Sequence, residues 1–196
     1  MRKEIITRIN EITEKYKTVS LKRIDTKEDF FKVESYEVVT NNGDKFYRDK
    51  FIKNYGNGSS STILPILANG NILLVVEPRV FTKNTVEVSM PGGYIDDGET
   101  PIDCAKRELE EETGLISDNI VKVSEFYIDL GNSDHISNVF IAFNSVKKGN
   151  TRYDEDEFID TIEVTKDEFF ELVDTGIINN ASTIIAALKL KEKAIY

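Results

Sequence analysis

The sequence predicts an α/β or α+β sandwich, and three observations carry that expectation. Short β-prone runs alternate with a few amphipathic helical stretches, and no internal repeat or low-complexity tract interrupts them. Apolar residues make up 40% and charged residues 31% of 196 residues, which excludes a wholly disordered chain. That length holds one domain with a substantial core, or a compact domain with a smaller N-terminal appendage.

Ile5, Ile9, Ile12 and Tyr16 recur at helical spacing with Lys, Arg and Glu between them, so the first element is an amphipathic helix covering a core or a partner. FKVESYEVVT and KFYRDKFIKN flank the turn sequence NNGD and read as an antiparallel hairpin. Gly56, Gly58 and Ser59 to Ser61 form a flexible-looking seam. It divides an N-terminal helix and hairpin, residues 1–58, from a main domain, residues 59–196. TILPIL and NILLVVE, joined by Ala-Asn-Gly, read as paired buried strands, and VEVSM leads into a glycine-rich segment.

A helix then runs from Pro101 to Thr113, with proline in its first turn, Gly114 at its end, and Ile102, Ala105 and Leu109 as its apolar stripe. VKVSEFYIDL and NVFIAFNSV are strand candidates, and the acidic stretch DEDEF follows a loop containing Lys148, Gly149 and Asn150. TKDEFFELVDTG starts on a threonine cap and stops at Gly176. ASTIIAALKLKEK forms a last helix after Asn179 and Asn180.

The net charge of −10 argues against a surface that tracks a nucleic-acid backbone, which needs clustered Lys and Arg. An anionic substrate would have to be held through divalent cations or a few placed basic side chains. Cys104 is the single cysteine, so there is no internal disulfide and no paired Cys/His spacing for zinc. Neither a secretory-type apolar core at the N-terminus nor a run long enough to span a membrane is present. Together these features place the protein in the cytoplasm, without a membrane or nucleic-acid partner.

The chemistry concentrates in GYIDDGETPIDCAKRELEEETGL, residues 93–115. On a helix, Glu108, Glu111 and Glu112 stand at i, i+3 and i+4, so their carboxylates share one face. Three such charges repel unless hard cations sit among the oxygens, and oxygen-rich sites suit Mg²⁺, with Mn²⁺ as an alternative. Taken alone, ELEEE is more often a solvated helix face. The surrounding pattern reverses that weighting: Gly93, Glu99, Arg107, Glu108, Glu111, Glu112 and Gly114 fall at spacings whose chance coincidence is on the order of one in a million.

These residues, with Leu109 and Leu115 at the aliphatic positions, resemble the signature of the Nudix hydrolases without a mismatch. The resemblance implies a Nudix α/β/α sandwich with a mixed sheet, carrying the N-terminal helix and hairpin as an extension. It implies that Glu108, Glu112 and the main-chain carbonyl of Gly92 hold metal, and that Arg107 orients a box glutamate and Glu111 serves catalysis. Glu99 is structural or a distant metal contact.

Outside the box, VVEPRV with Arg79, GNSDHISNVFIAF, DEDEF and GIINNASTIIAAL resemble the ADP-ribose pyrophosphatase branch. That branch implies substrate binding by Arg79, Glu155 as catalytic base and Glu157 as a further metal ligand, with Asp154 and Asp156 also open. It implies a homodimer formed through the extension and a nucleoside diphosphate-linked substrate. Ser89 departs from the glutamate often found two residues before the branch's proline, and Glu87 is the nearest acid on that strand face. The rival readings are a Nudix hydrolase of another diphosphate, a dinucleotide or a nucleoside triphosphate, and a module that senses a nucleotide without cleaving it. His135 and Cys104 are assigned no catalytic role.

Overall fold

The computed structural model describes residues 3–22, 31–53, 56, 58–82, 85–153 and 157–192. Helix α1 (Lys3–Lys15) turns Ile5, Ile9 and Ile12 into the main core, each burial stabilising by roughly 1.5–3 kcal/mol. Strands β1 (Phe31–Val39) and β2 (Lys45–Lys53) pair antiparallel as a separate two-stranded sheet. Their turn depends on Gly43, whose φ of 84° is one that a side chain would disfavour. The hairpin is tied to the body by the Phe51 N–H, which donates to the Asn132 carbonyl at 2.7 Å, and by a Lys50–Asp134 ion pair.

The main sheet comprises β3 (Ser60–Leu67), β4 (Ile72–Pro78), β5 (Val86–Ser89) and β6 (Gly92–Tyr94), then, after helix α2 (Pro101–Thr113), β7 (Leu115–Ile116), β8 (Asn119–Tyr127), β9 (Ile136–Lys147) and β10 (Asp160–Val164). Helices α3 (Lys166–Asp174) and α4 (Ala181–Lys191) close the chain. The strand order is β10-β4-β3-β9-β7, with β5 on β4, β6 on β3 and β8 on β9. The β3–β9 pair is parallel and the other pairs are antiparallel, so the sheet is mixed.

Alternation along β3 and β9 builds the layers. Ile63, Phe140 and Ala142 pack with Ala105 and Leu109 of α2 on one face. Leu64, Val139 and Ile141 join the core that takes in α1, Phe169 and Leu172 of α3, and Ala186, Ala187 and Leu190 of α4. The result is the α/β/α sandwich expected, with the N-terminal helix and hairpin in place. No helix among the described residues is long and apolar enough to cross a membrane.

Four local readings change. Ser60 and Ser61, read as part of a flexible seam, lie in β3; Ser61 is fully buried and its hydroxyl donates to the Pro101 carbonyl, so a polar run is satisfied inside the sheet. Ile102 sits at the exposed edge of α2 while Cys104 is buried with Ala105 and Leu109, because the helix is rotated slightly from the expected stripe. Strand β10, DTIEV, went unread because it is short and follows an acidic run; pairing with β4 makes it a strand. Tyr16, read with the isoleucines, packs at the edge of their core and also reaches a surface cavity.

Candidate active site

Helix α2 is delimited at both ends by its own residues. The Thr100 hydroxyl caps it by accepting from the Asp103 N–H, and Gly114, at φ 67°, ends it with its N–H donating to the Glu110 carbonyl. Glu108, Glu111 and Glu112 thus fall in its C-terminal half, where the helix dipole disfavours negative charge and no basic residue occupies the last turn. Glu108 and Glu112 are buried nonetheless, and Glu111 is half-buried. Stability alone would not select this placement.

Burial, against the pull of the Arg107 guanidinium, raises the Glu108 carboxyl to about 7. Burial raises Glu112 to about 9, reinforced by the neighbouring Glu108 and Glu77 charges and opposed by a hydrogen bond from the Gly92 N–H at 3.2 Å. Gly93 is needed for this approach, since a Cβ there would run into the Glu108 carboxylate, and a Cβ on Gly92 would collide with the backbone of β3 at Ser61 and Thr62.

Arg107 gathers the flanking acids. Its Nε and one terminal nitrogen donate to the two Glu99 oxygens at 3.0 and 3.1 Å, while the other donates to Glu108 at 2.7 Å and Glu111 at 3.2 Å. A further bond reaches the Tyr94 carbonyl at 3.0 Å. The guanidinium holds the Glu99 carboxyl below the usual carboxylate range, and Glu99 is thereby committed to Arg107 and to the Asp96 N–H.

A cavity of about 680 Å³ opens beside this helix. Glu77, Glu112, Glu157 and Arg79 line it, together with Gly92 and Gly93. Arg79 is held by Glu77 at 2.6 Å and by Glu87 at 3.5 Å. Glu87 is partly buried, which raises its carboxyl; Arg79 and a bond from Asn180 oppose the rise. Ser89, on the same strand, is buried. Glu155, with Asp154 and Asp156, lies outside the described residues.

Glu77 is the site residue that sequence reasoning passed over. Burial raises its carboxyl to about 7 against the Arg79 charge, and the Glu87 and Glu157 charges push the same way as burial. Its signal was present, since it is the lone acid closing the apolar run NILLVV. Glu77, Glu108, Glu112 and Glu157 form one electrostatically linked set of oxygen donors. That donor chemistry fits a hard divalent cation. Among the described residues, no group of three Asp, Glu, His or Cys side chains stands ready-made around one metal position.

The family profile described as NUDIX domain matches residues 58–185. The chain belongs to the Nudix family. An ADP-ribose pyrophosphatase of Bacillus subtilis (strain 168) is 37% identical to this Nudix chain over 133 residues, 66% of this chain and 71% of that protein. A methanol dehydrogenase activator of Bacillus methanolicus is 36% identical over 131 residues, covering 64% and 70%. A crystal structure of an ADP compounds hydrolase superposes with a TM-score of 0.71 at 21% identity, covering 85% of this chain and 88% of that one, which establishes the shared fold.

Two residues beside the Nudix site have structural roles. Cys104 is buried, and burial followed by the Glu108 charge pushes its thiol up to about 12, so it is an unreactive small hydrophobe. His135 is buried between the hairpin and the sheet. Lys53 Nζ, which can only donate, bonds its Nδ1 at 3.1 Å; the neutral ring therefore carries its proton on Nε2, which donates to the Ser60 hydroxyl at 2.8 Å. Lys53 also donates to the Tyr94 hydroxyl at 2.6 Å, and the Tyr94 ring meets the imidazole edge-on.

Burial, then the Lys53 charge, lowers His135 to about 4 against the opposing pull of Asp134. The unfolded ring takes up a proton near 6.5 while the folded ring refuses it down to about 4, so stability is full above 6.5 and falls across that window. Thermal unfolding from pH 7 to pH 4 should show a steeper decline for the parent than for His135→Asn. Parallel curves would rule this account out.

Proposed function

We propose that this Nudix chain is a divalent-cation-dependent hydrolase that splits the diphosphate of ADP-ribose, or of a related nucleoside diphosphate sugar, into a nucleoside monophosphate and a sugar phosphate. The observation that carries the reading is a single cavity lined by Glu77, Glu112, Glu157 and Arg79, in which burial raises the Glu77 and Glu112 carboxyls. Glu108, Glu112, Glu157 and the Gly92 carbonyl would hold Mg²⁺, with Mn²⁺ as the alternative. A cation there supplies charge for the diphosphate oxygens and lowers the pKa of a bound water. Arg79 binds the substrate's phosphates, Arg107 with Glu111 orients the Glu108 carboxylate, and Glu155 takes the proton of the attacking water. The ADP-ribose assignment draws support from the Bacillus subtilis relative and from Arg79 lying in the cavity wall.

Residues 1–58 form the dimerisation extension and residues 59–196 the catalytic domain. Phe31, Val33, Val39, Tyr47 and Phe51 share one face of the hairpin by their register and are all exposed, a stripe suited to burial against a second copy. A monomeric mass in solution would remove that part of the reading. The cytoplasmic setting rests on the lone thiol of Cys104.

Hydrolysis of ADP-ribose in ¹⁸O-labelled water tests substrate, reaction and point of attack together. The expected products are AMP and ribose 5-phosphate, with label in one of them. Release of pyrophosphate from a nucleoside triphosphate, with ADP-ribose untouched, would transfer the assignment to another nucleotide. Tight ADP-ribose binding without turnover at any divalent cation would make the chain a sensor.

A further inference from the structure

Strand β6, which runs past the carboxylates of α2, is three residues long and two of them are glycine. Glycine leaves the backbone more freedom than any other residue, so β6 gains little rigidity from its own side chains. It pairs with β3 through Ser60, Ser61 and Thr62, and Tyr94 supplies its one side chain. Any shift of β6 is felt by the acids beside it, because the Gly92 N–H donates to Glu112 at 3.2 Å and Gly93 lies against the Glu108 carboxylate.

Tyr94 is held on two sides. Its carbonyl accepts from Arg107 at 3.0 Å and from the Cys104 thiol at 3.3 Å, which ties the strand to α2, and Arg107 continues to Glu108 at 2.7 Å. Its hydroxyl accepts from Lys53 Nζ at 2.6 Å, and the same ammonium stands 4.5 Å from the centroid of its ring. Lys53 ends β2 of the hairpin and lies outside residues 58–185, which match the Nudix profile. Lys53 also donates to His135, whose ring donates to the Ser60 hydroxyl, and Ser60 is the register partner of Tyr94. One ammonium therefore holds a side chain on each strand of the β3–β6 pair, one directly and one through an imidazole.

We propose that Lys53 is a positioning residue for the cation site: by clamping Tyr94 beside Ser60, it holds β6 so that the Gly92 carbonyl and the Glu108 and Glu112 carboxylates keep one geometry. This rests on the reading above, in which those three groups hold a divalent cation. A small, hard cation tolerates little displacement of its oxygens, so the outer contacts that orient them govern its affinity. Lys53 touches neither cation nor substrate in this account and acts through Tyr94. The hairpin thereby reaches the catalytic helix through a single side chain.

The test titrates Mn²⁺ into the full chain without substrate, following free Mn²⁺ by its paramagnetic resonance signal, and separately measures ADP-ribose hydrolysis against cation concentration. Lys53→Met should weaken Mn²⁺ binding by about tenfold and raise the cation concentration for half-maximal rate by the same factor, while KM for ADP-ribose at saturating cation stays put. Tyr94→Phe, which keeps the ring and loses the hydroxyl, should weaken Mn²⁺ binding alike, and the double variant should bind no worse than the weaker single, because both remove one contact. Lys50→Met, which loosens the hairpin by removing the Lys50–Asp134 tie, should leave Mn²⁺ affinity unchanged. Should Lys53→Met fail to fold, Tyr94→Phe keeps the test readable. Unmoved Mn²⁺ affinity in both variants, or an equal loss in Lys50→Met, would overturn the proposal and leave the hydrolase reading standing if the parent still splits ADP-ribose. Mn²⁺ binding weakened by Lys53→Met, in a parent that hydrolyses no nucleotide, would uphold the role of Lys53 and defeat the hydrolase reading instead. A parent that binds no Mn²⁺ would defeat both.

Discussion

Glu112→Gln is expected to lower kcat for ADP-ribose by about a thousandfold while leaving the metal-free protein at least as stable as the parent. The rate term follows from losing one carboxylate among the cation-holding groups, worth about 4 kcal/mol of charge stabilisation in the transition state. The stability term has the opposite sign because Glu112 is buried, and its carboxyl is pushed up to about 9 by burial and by Glu108 and Glu77. Glutamine has nearly the same shape and can still accept the Gly92 N–H, but it brings no charge into the interior. Initial rates and thermal midpoints without added divalent cation measure both terms. Activity within tenfold of the parent would remove Glu112 from the site, and a large drop in midpoint would make it an ordinary structural acid.

The second large effect separates Glu155 from Glu157. Glu155→Gln should reduce kcat by about 10²–10⁴, the usual contribution of a general base, and remove the acidic limb of the pH–rate profile while the cation concentration needed for half-maximal rate stays put. Glu157→Gln should instead raise that cation requirement, because Glu157 lines the cavity and interacts electrostatically with Glu77, Glu108 and Glu112. Rates across pH and across cation concentration for both variants decide the matter. The reverse pattern would exchange the roles of the two residues.

What could be read in the sequence was local. The bounds of α2 at Pro101 and Thr113 follow from the Thr100 cap, the proline in the first turn and the left-handed Gly114, all interactions within a few residues. The face shared by Glu108, Glu111 and Glu112 follows from helical periodicity alone. The caps Thr165 and Asn180 mark α3 and α4 in the same way. Spacing was also enough for the Nudix signature, because the family's pattern spans one turn and one helix.

Partners far apart in sequence were settled only by tertiary packing. Tyr16 shows the same helical period as Ile5, Ile9 and Ile12, yet its position one residue past the helix end takes it to Asp160, 144 residues away, and to the cavity. Glu77 reads as the polar end of a strand until β4 carries it beside Glu112 and Glu157. His135 reads as a loop residue until Lys53 and Ser60, from two different sheets, enclose its ring. Periodicity and capping are decided by neighbours along the chain, so the sequence by itself determined the helix that carries the carboxylates. Burial and charge pairing depend on which distant segments meet, so only the folded sandwich decided which acids lose their water and what shares their cavity.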